Sequence, residues 1–191
     1  MKIKTLIATT AFMTLSAYGS CTYRADTANV SWKAFKTYEK IGVSGAFNRV
    51  NFSPHSDTSV EALLMGSKVT IDTATVNSGN SGRDATLVQS FFKVQHLNTL
   101  TATVVGVKDA KALVALTLNG ITRTIPFPYQ IQGEKIMAKG VMDLGDFSLL
   151  PSLQSLNKAC FDLHGGKTWQ EVEIGFEIPF TSTCTQNSKE K

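Results

Sequence analysis

An all-β, antiparallel fold is what this 191-residue chain predicts, and three observations carry it. Residues 172–180 read Val-Glu-Ile-Gly-Phe-Glu-Ile-Pro-Phe, an unbroken alternation that gives a strand one apolar and one wet face. Asn119-Gly120 stands between two β-rich runs and is the strongest short hairpin signal in the chain. Strand-like runs follow one another through turns, without the strand–helix–strand rhythm of a parallel sheet. The count is about eight strands with two or three short helices. Their apolar faces can be hidden in a sandwich or in a barrel closed on itself.

The elements follow in order. Residues 22–35 look extended, with Tyr23, Trp32 and Phe35 as aromatic positions, and one of Trp32 and Phe35 is expected to face the interior. Residues 41–52 alternate apolar and small side chains, and Gly42 and Gly45 would let that strand bend or accept a close neighbour. Ser53-Pro54-His55-Ser56-Asp57 is a turn cluster. Thr58 and Glu61 fit a capping box for a short helix that ends near Gly66. Residues 68–72 alternate as a strand, and 77–82 form a Gly/Ser/Asn loop. Asp84 is placed to cap a second helix with Leu87, Val88 and Phe91 on one side.

Residues 99–107 and 112–118 are strands, and 121–127 returns from the Asn-Gly turn. Residues 129–131 and 136–142 make a further hairpin about Gly133-Glu134. Pro151 suits the first turn of a helix with Leu153 and Leu156 inward, which His164-Gly165-Gly166 brings to an end. Glycines within strand candidates favour bending and closure over a flat sandwich.

Composition narrows the function. Hydrophobic residues at 42% and charged residues at 18% leave enough apolar surface for a core and exclude global disorder. The net charge is only +4, half of it from Lys2 and Lys4, and no basic run offers a track for nucleic acid. No heptad and no internal period appears. Residues 1–20 show a charged start, an apolar stretch and the small-x-small triplet Ala17-Tyr18-Gly19, the order of a secretory signal peptide. The folded domain is then expected over 21–183, with 184–191 as a tail, in a periplasmic or secreted protein without a membrane span.

An oxidising compartment calls for a disulfide among Cys21, Cys160 and Cys184, with one cysteine left over. If the first and last strands meet at closure, Cys21 comes beside Cys184; Cys160 with either is the competing pairing. Cys21 also follows Gly19-Ser20 as a lipid-anchored cysteine does, although Tyr18 stands where such signals carry an aliphatic residue.

Catalytic and metal signals are weak. His55, His96 and His164 lie far apart, without a second ligand at metal spacing, so no metal is expected. Gly166-Lys167-Thr168 resembles the end of a phosphate loop, but Phe161 occupies the position of its first glycine. No Gly-x-Ser-x-Gly elbow occurs. No catalytic residue and no cofactor is predicted.

Gly45-x-Phe47, the Ser/Asn loop with Arg83-Asp84, Phe91-Phe92, Leu116-Thr117-Leu118-x-Gly120-Ile121-Thr122-Arg123 and Asp146-Phe147-Ser148 follow one another in an order that resembles the YceI-like family. The resemblance spans residues 32–180. Ala85 stands where the family usually has His, and residues 158–169 fall outside the common pattern. The resemblance implies an extended, eight-stranded, lipocalin-like antiparallel barrel. It also implies an exported protein that holds a long isoprenoid, quinone-like or fatty amide chain, and for some members a homodimer.

The candidate cavity or mouth residues under that reading are Trp32, Phe35, Phe47, Arg83, Asp84, Phe91, Phe92, Leu116, Leu118, Met137, Met142, Phe147 and Phe176. Arg83 and Asp84 would serve as a rim contact or as an ion pair and helix cap. The others would line a tunnel or fill a dry core, which aromatic, Leu and Met side chains do equally well.

Overall fold

The computed structural model describes residues 20–185. The expected signal segment lies outside the described residues except for Ser20. The strands are β1 (Ser20–Arg24), β2 (Asn29–Lys36), β3 (Ile41–Phe47), β4 (Val50–Ser53), β5 (Lys68–Asp72), β6 (Val76–Asn77), β7 (Thr99–Lys108), β8 (Lys111–Leu118), β9 (Ile121–Gln132), β10 (Lys135–Asp143), β11 (Thr168–Pro179) and β12 (Thr181–Thr185). Every pairing among them is antiparallel.

Ten segments form one sheet in the order β4-β5-β7-β8-β9-β10-β11-β2-β3-β6. Its two ends meet. β3 and β4 are one strand bent at Asn48-Arg49, and β5 and β6 are one strand bent through the 3-10 turn Thr73–Thr75. The bent strands pair along their length, through β4 with β5, Asp72 with Arg49, Asn48 with Thr75, and β3 with β6. The sheet therefore curls into an antiparallel barrel of eight strands, ten segments with two interruptions. β9 turns a corner: it pairs with β8 as far as Pro128 and with β10 from Tyr129. Proline has no N–H to give a ladder, so a change of neighbour at that point leaves no donor stranded.

Four expectations need correction. Residues 22–35 are two strands, and β1 leaves the barrel to pair only with β12. Residues 129–131 continue β9. The first helix, α1 (Val60–Leu64), is capped by Ser59, whose hydroxyl accepts the Ala62 N–H, one residue later than Thr58. The second, α2 (Ser81–Leu87), is capped by Asn80, which accepts the Arg83 N–H at 2.9 Å. Asp84 reaches back to the N–H and hydroxyl of Ser78 at 2.8 and 2.6 Å, closing the loop before the helix.

The ladder between β2 and β11 has Asn29 opposite Glu177 at one end and Lys36 opposite Thr168 at the other. At the Asn29 end, α1 plugs the barrel with Leu63 and Leu64 against Ile136, Ile178 and Phe180. The β1–β12 ribbon adjoins this plug, with Tyr23 against Phe180. Cys21 lies opposite Cys184 in the ribbon and the two form a disulfide. Cys160 is free and buried. Strand β12 runs to Thr185.

At the Lys36 end the cover is helical: α2, a π-helical turn (Val88–Phe92), a 3-10 turn (Lys93–Gln95), α3 (Leu150–Ala159) and α4 (Phe161–His164). Pro151 lies in the first turn of α3, and Leu153 and Leu156 are buried.

Burial raises the Cys160 thiol pKa above its ordinary value, against a smaller pull from Lys36. Thiol reagent at neutral pH should therefore find no reactive thiol in the native protein, one after denaturation, and three after denaturation with reductant. Three thiols without reductant would refute the Cys21–Cys184 bridge.

Candidate functional site

The barrel is not filled. Val30, Trp32 and Ala34 of β2 and Val172, Ile174 and Phe176 of β11 line a cavity of about 120 Å³. Ala102 of β7, Leu116 and Leu118 of β8 and Met142 of β10 complete the wall. No ionisable side chain lines it; the polar groups are Thr101, Thr168 and the indoles of Trp32 and Trp169. Val172, Ile174 and Phe176 occupy the face opposite to Glu173 and Glu177, yet they are only half-buried. The space they face accounts for it.

Small residues make the space. Ala34 and Ala102 bring little volume to the bore. Trp32 brings much, but its ring lies against the wall at its cross-strand partner Gly45. A Cβ at Gly45 would stand 2.4 Å from the Trp32 ring and 2.6 Å from the Asn77 carbonyl oxygen. Glycine is therefore required there for close approach and not for backbone freedom. The Trp32 Nε1–H is buried and has no hydrogen-bond partner among the described residues.

A smaller cavity of about 30 Å³ lies towards α1, lined among others by Phe52, Leu64, Phe127, Tyr129 and Ile136. Ala102 and Phe176 line both cavities and stand between them. Phe127 is fully buried; its ring fits where Gly140 has no side chain and meets Phe176 edge-on at 5.3 Å. Burial, with the Glu61 carboxylate as the second cause, pushes the Tyr129 phenol above its ordinary pKa.

The helical cover contributes the remaining wall. In the π-helical turn Lys93 N–H reaches back to the Val88 carbonyl, five residues away. That wider winding turns residues four and five apart towards one side, and Leu87, Phe91 and Phe92 all line the cavity. The Phe91 and Phe92 rings meet edge-on at 5.2 Å, and Phe92 meets Phe47 at 6.2 Å. Gln95 ties this segment to α3: it accepts the Ser152 hydroxyl at 2.9 Å and donates to the Ser148 carbonyl at 3.0 Å.

A YceI-like domain matches residues 22–180. The chain belongs to that family. Among solved structures it is similar to a polyisoprenoid-binding domain from Saccharophagus degradans implicated in plant cell wall breakdown, at 15% identity and a TM-score of 0.61. That match covers 87% of this chain and 100% of the other. It is also similar to BcnA of Burkholderia cenocepacia, at 16% identity and a TM-score of 0.57, over 81% of this chain and 96% of the other. No curated protein matches. Identities this low speak for a shared fold.

Within this YceI-like barrel the expected residues fall into two groups. Trp32, Phe47, Phe91, Phe92, Leu116, Leu118, Met142 and Phe176 converge on the larger cavity. Phe35 and Met137 do not line it: Phe35 lies under the ammonium groups of Lys33 and Lys40, and Met137 is half-exposed opposite Glu177. Phe147 is fully buried in the core but does not reach the cavity. Arg83 is exposed, and Asp84 is committed to Ser78. Sequence reasoning missed Val30 and Ala34, which share the Trp32 face at period two, and Trp169, whose parity is altered by the irregular register between Thr168 and Val172.

Replacing Gly45 by Ala should lower stability by about 1–3 kcal/mol in urea unfolding, because a backbone carbonyl and a packed indole both resist displacement. Stability equal to the wild type would show that the indole is not held at that position.

Proposed function

We propose that this protein is an exported lipid carrier. Its barrel takes the apolar tail of one long-chain amphipathic lipid, an isoprenoid of quinone-like type or a fatty amide, and the polar head stays near the helical end. The observation that carries this reading is the larger cavity itself: its wall is almost wholly apolar, and no ionisable side chain is among its lining residues. Chain carbons offer only dispersion and release from water, about 0.8 kcal/mol for each buried CH₂. Such a wall suits them and offers an acid–base reaction nothing. The similarity to a polyisoprenoid-binding domain points the same way. A disulfide belongs in an oxidising compartment, and the periplasm or the exterior is the location that also agrees with the signal-like start of the chain.

The cavity of about 120 Å³ takes a short apolar stretch as it stands. A longer tail extends past Phe176, where a rotation of the ring would join the two cavities. The protein serves as a container, and the lipid leaves it unchanged.

The test is intact-mass measurement on mature protein from its own host, native and then denatured. A single adduct lost on denaturation, and identified as an unmodified long-chain lipid, is the expected result. A bare mass that persists after incubation with a long-chain isoprenoid quinone and with a fatty amide would overturn the reading. Recovery of a chemically altered lipid would replace it with an enzymatic one.

A further inference from the structure

The three most exposed large apolar side chains of the described residues are Leu163 at 81%, Tyr38 at 79% and Phe161 at 65%. They come from α4 and from the turn between β2 and β3, segments far apart in sequence that the fold joins at the helical end. Thr37 donates its N–H to the Lys167 carbonyl at 2.9 Å, and its own carbonyl accepts the Trp169 indole N–H at 2.8 Å. A Cβ at Gly166 would stand 3.0 Å from the Phe161 ring, so α4 folds back onto the segment that leads into β11. Among the other described residues no large apolar side chain is more than 52% exposed, and one of these, Ile41 at 51%, lies opposite Lys36 at the same end. Scattered apolar residues are ordinary on a soluble surface; three such side chains at one end are not.

We propose that this end of the barrel docks on a phospholipid membrane surface and loads its lipid there. The inference rests on the carrier reading above, which makes a membrane the source of the ligand. Three observations favour a bilayer as the occupant. The surface is continuous with the cavity, because Thr168 and Trp169 belong to both. Its lysines lie over aromatic faces: Lys40 and Lys167 over Trp169 at 5.2 and 4.4 Å, and Lys33 over Phe35 at 5.0 Å. Ammonium groups held over aromatic faces beside exposed apolar side chains form the mixed aromatic and cationic belt that suits the headgroup zone.

The charges agree. Lys40 and Lys33 are paired with Glu171 and Glu173. Lys36, Lys158 and Lys167 have no ion-pair partner among the described residues, against the two acids Glu39 and Asp162. The excess is small and positive, so apolar insertion dominates and anionic headgroups help.

The experiment compares the mature wild-type protein with a Phe161→Ser/Leu163→Ser double variant and a Tyr38→Ser variant. Each is floated with vesicles of phosphatidylethanolamine and phosphatidylglycerol. Exposed side chains are changed, so thermal unfolding should show the same midpoint in all three. Wild type should float, with a blue shift of tryptophan emission from Trp169. The double variant should lose vesicle partition by about tenfold or more, and should take up an isoprenoid quinone from donor vesicles more slowly. Quinone delivered from detergent should bind both proteins equally. A wild type that stays in the soluble fraction would overturn the proposal, as would equal flotation of the double variant. A wild-type dimer that the double variant turns into a monomer, without vesicle binding, would assign the surface to a second copy of the chain. Flotation without any quinone binding from detergent would sink the carrier reading and leave the docking surface standing.

Discussion

In an antiparallel barrel every second side chain points into the bore, and the space inside is set by whatever the sequence places at those positions. Here β2 and the later part of β11 alternate cleanly, so the bore receives Val30, Trp32 and Ala34 from one and Val172, Ile174 and Phe176 from the other. Large side chains would fill such a bore. It stays open because alanines stand at Ala34 and Ala102 and because Gly45 lets the largest ring lie against the wall. Openness is thus a property of a few small residues on strands whose backbone ladders run all the way round. The ladders satisfy the polar backbone, and the side chains are left free to form a wall without polar demands.

The two ends of the barrel are built on different principles. At the α1 end, fully buried Leu63 packs with Ile136 and Ile178, and the adjoining β1–β12 ribbon is bridged by a disulfide. A covalent tie between positions 163 residues apart removes much freedom from the unfolded chain. The other end is covered by short helical segments held by side-chain contacts, among them the Gln95 bridge to Ser152 and Ser148. Short helices have little stability of their own and depend on such contacts. Any opening of the cavity is therefore easiest where the helices sit.

The strands were legible because period-two alternation and turn chemistry are local. β5, β7, β8 and the 172–179 alternation within β11 read directly, and Asn119-Gly120 takes positive φ at both positions as its turn requires. The caps were less legible. Thr58 and Asp84 are good capping residues, but Ser59 and Asn80 are equally good, and the choice depends on where the preceding strand releases the chain. The break of residues 22–35 into β1 and β2 is a tertiary effect, since β1 finds its partner in β12 at the far end of the sequence. Trp169 escaped because a single irregularity in β11 reverses parity, and no local signal marks it. Of the cavity candidates, those on clean strand faces such as Trp32, Leu116 and Leu118 could be placed by alternation. Phe35, with the opposite parity to Trp32, could have been excluded by the same rule.

For the proposed carrier, the size of the cavity carries the next step. A space of about 120 Å³ is far short of a long isoprenoid chain. Each further CH₂ taken from water contributes about 0.8 kcal/mol, so several carbons outweigh the loss of a few cap contacts worth about 1 kcal/mol each. The walls cannot give without breaking ladders, and the α1 end cannot give without exposing a core pinned beside a disulfide. The helical segment carrying Leu87, Phe91 and Phe92 can give, because it lines the cavity from one side and is held mainly by ring contacts and the Gln95 bridge. A tail that enters beneath this segment meets Ala34 and Val172 first, then Trp32 and Ile174, and reaches Phe176 last. Binding then grows in strength with tail length as far as the Phe127–Phe176 pair, where any further length requires the Phe176 ring to rotate towards the smaller cavity.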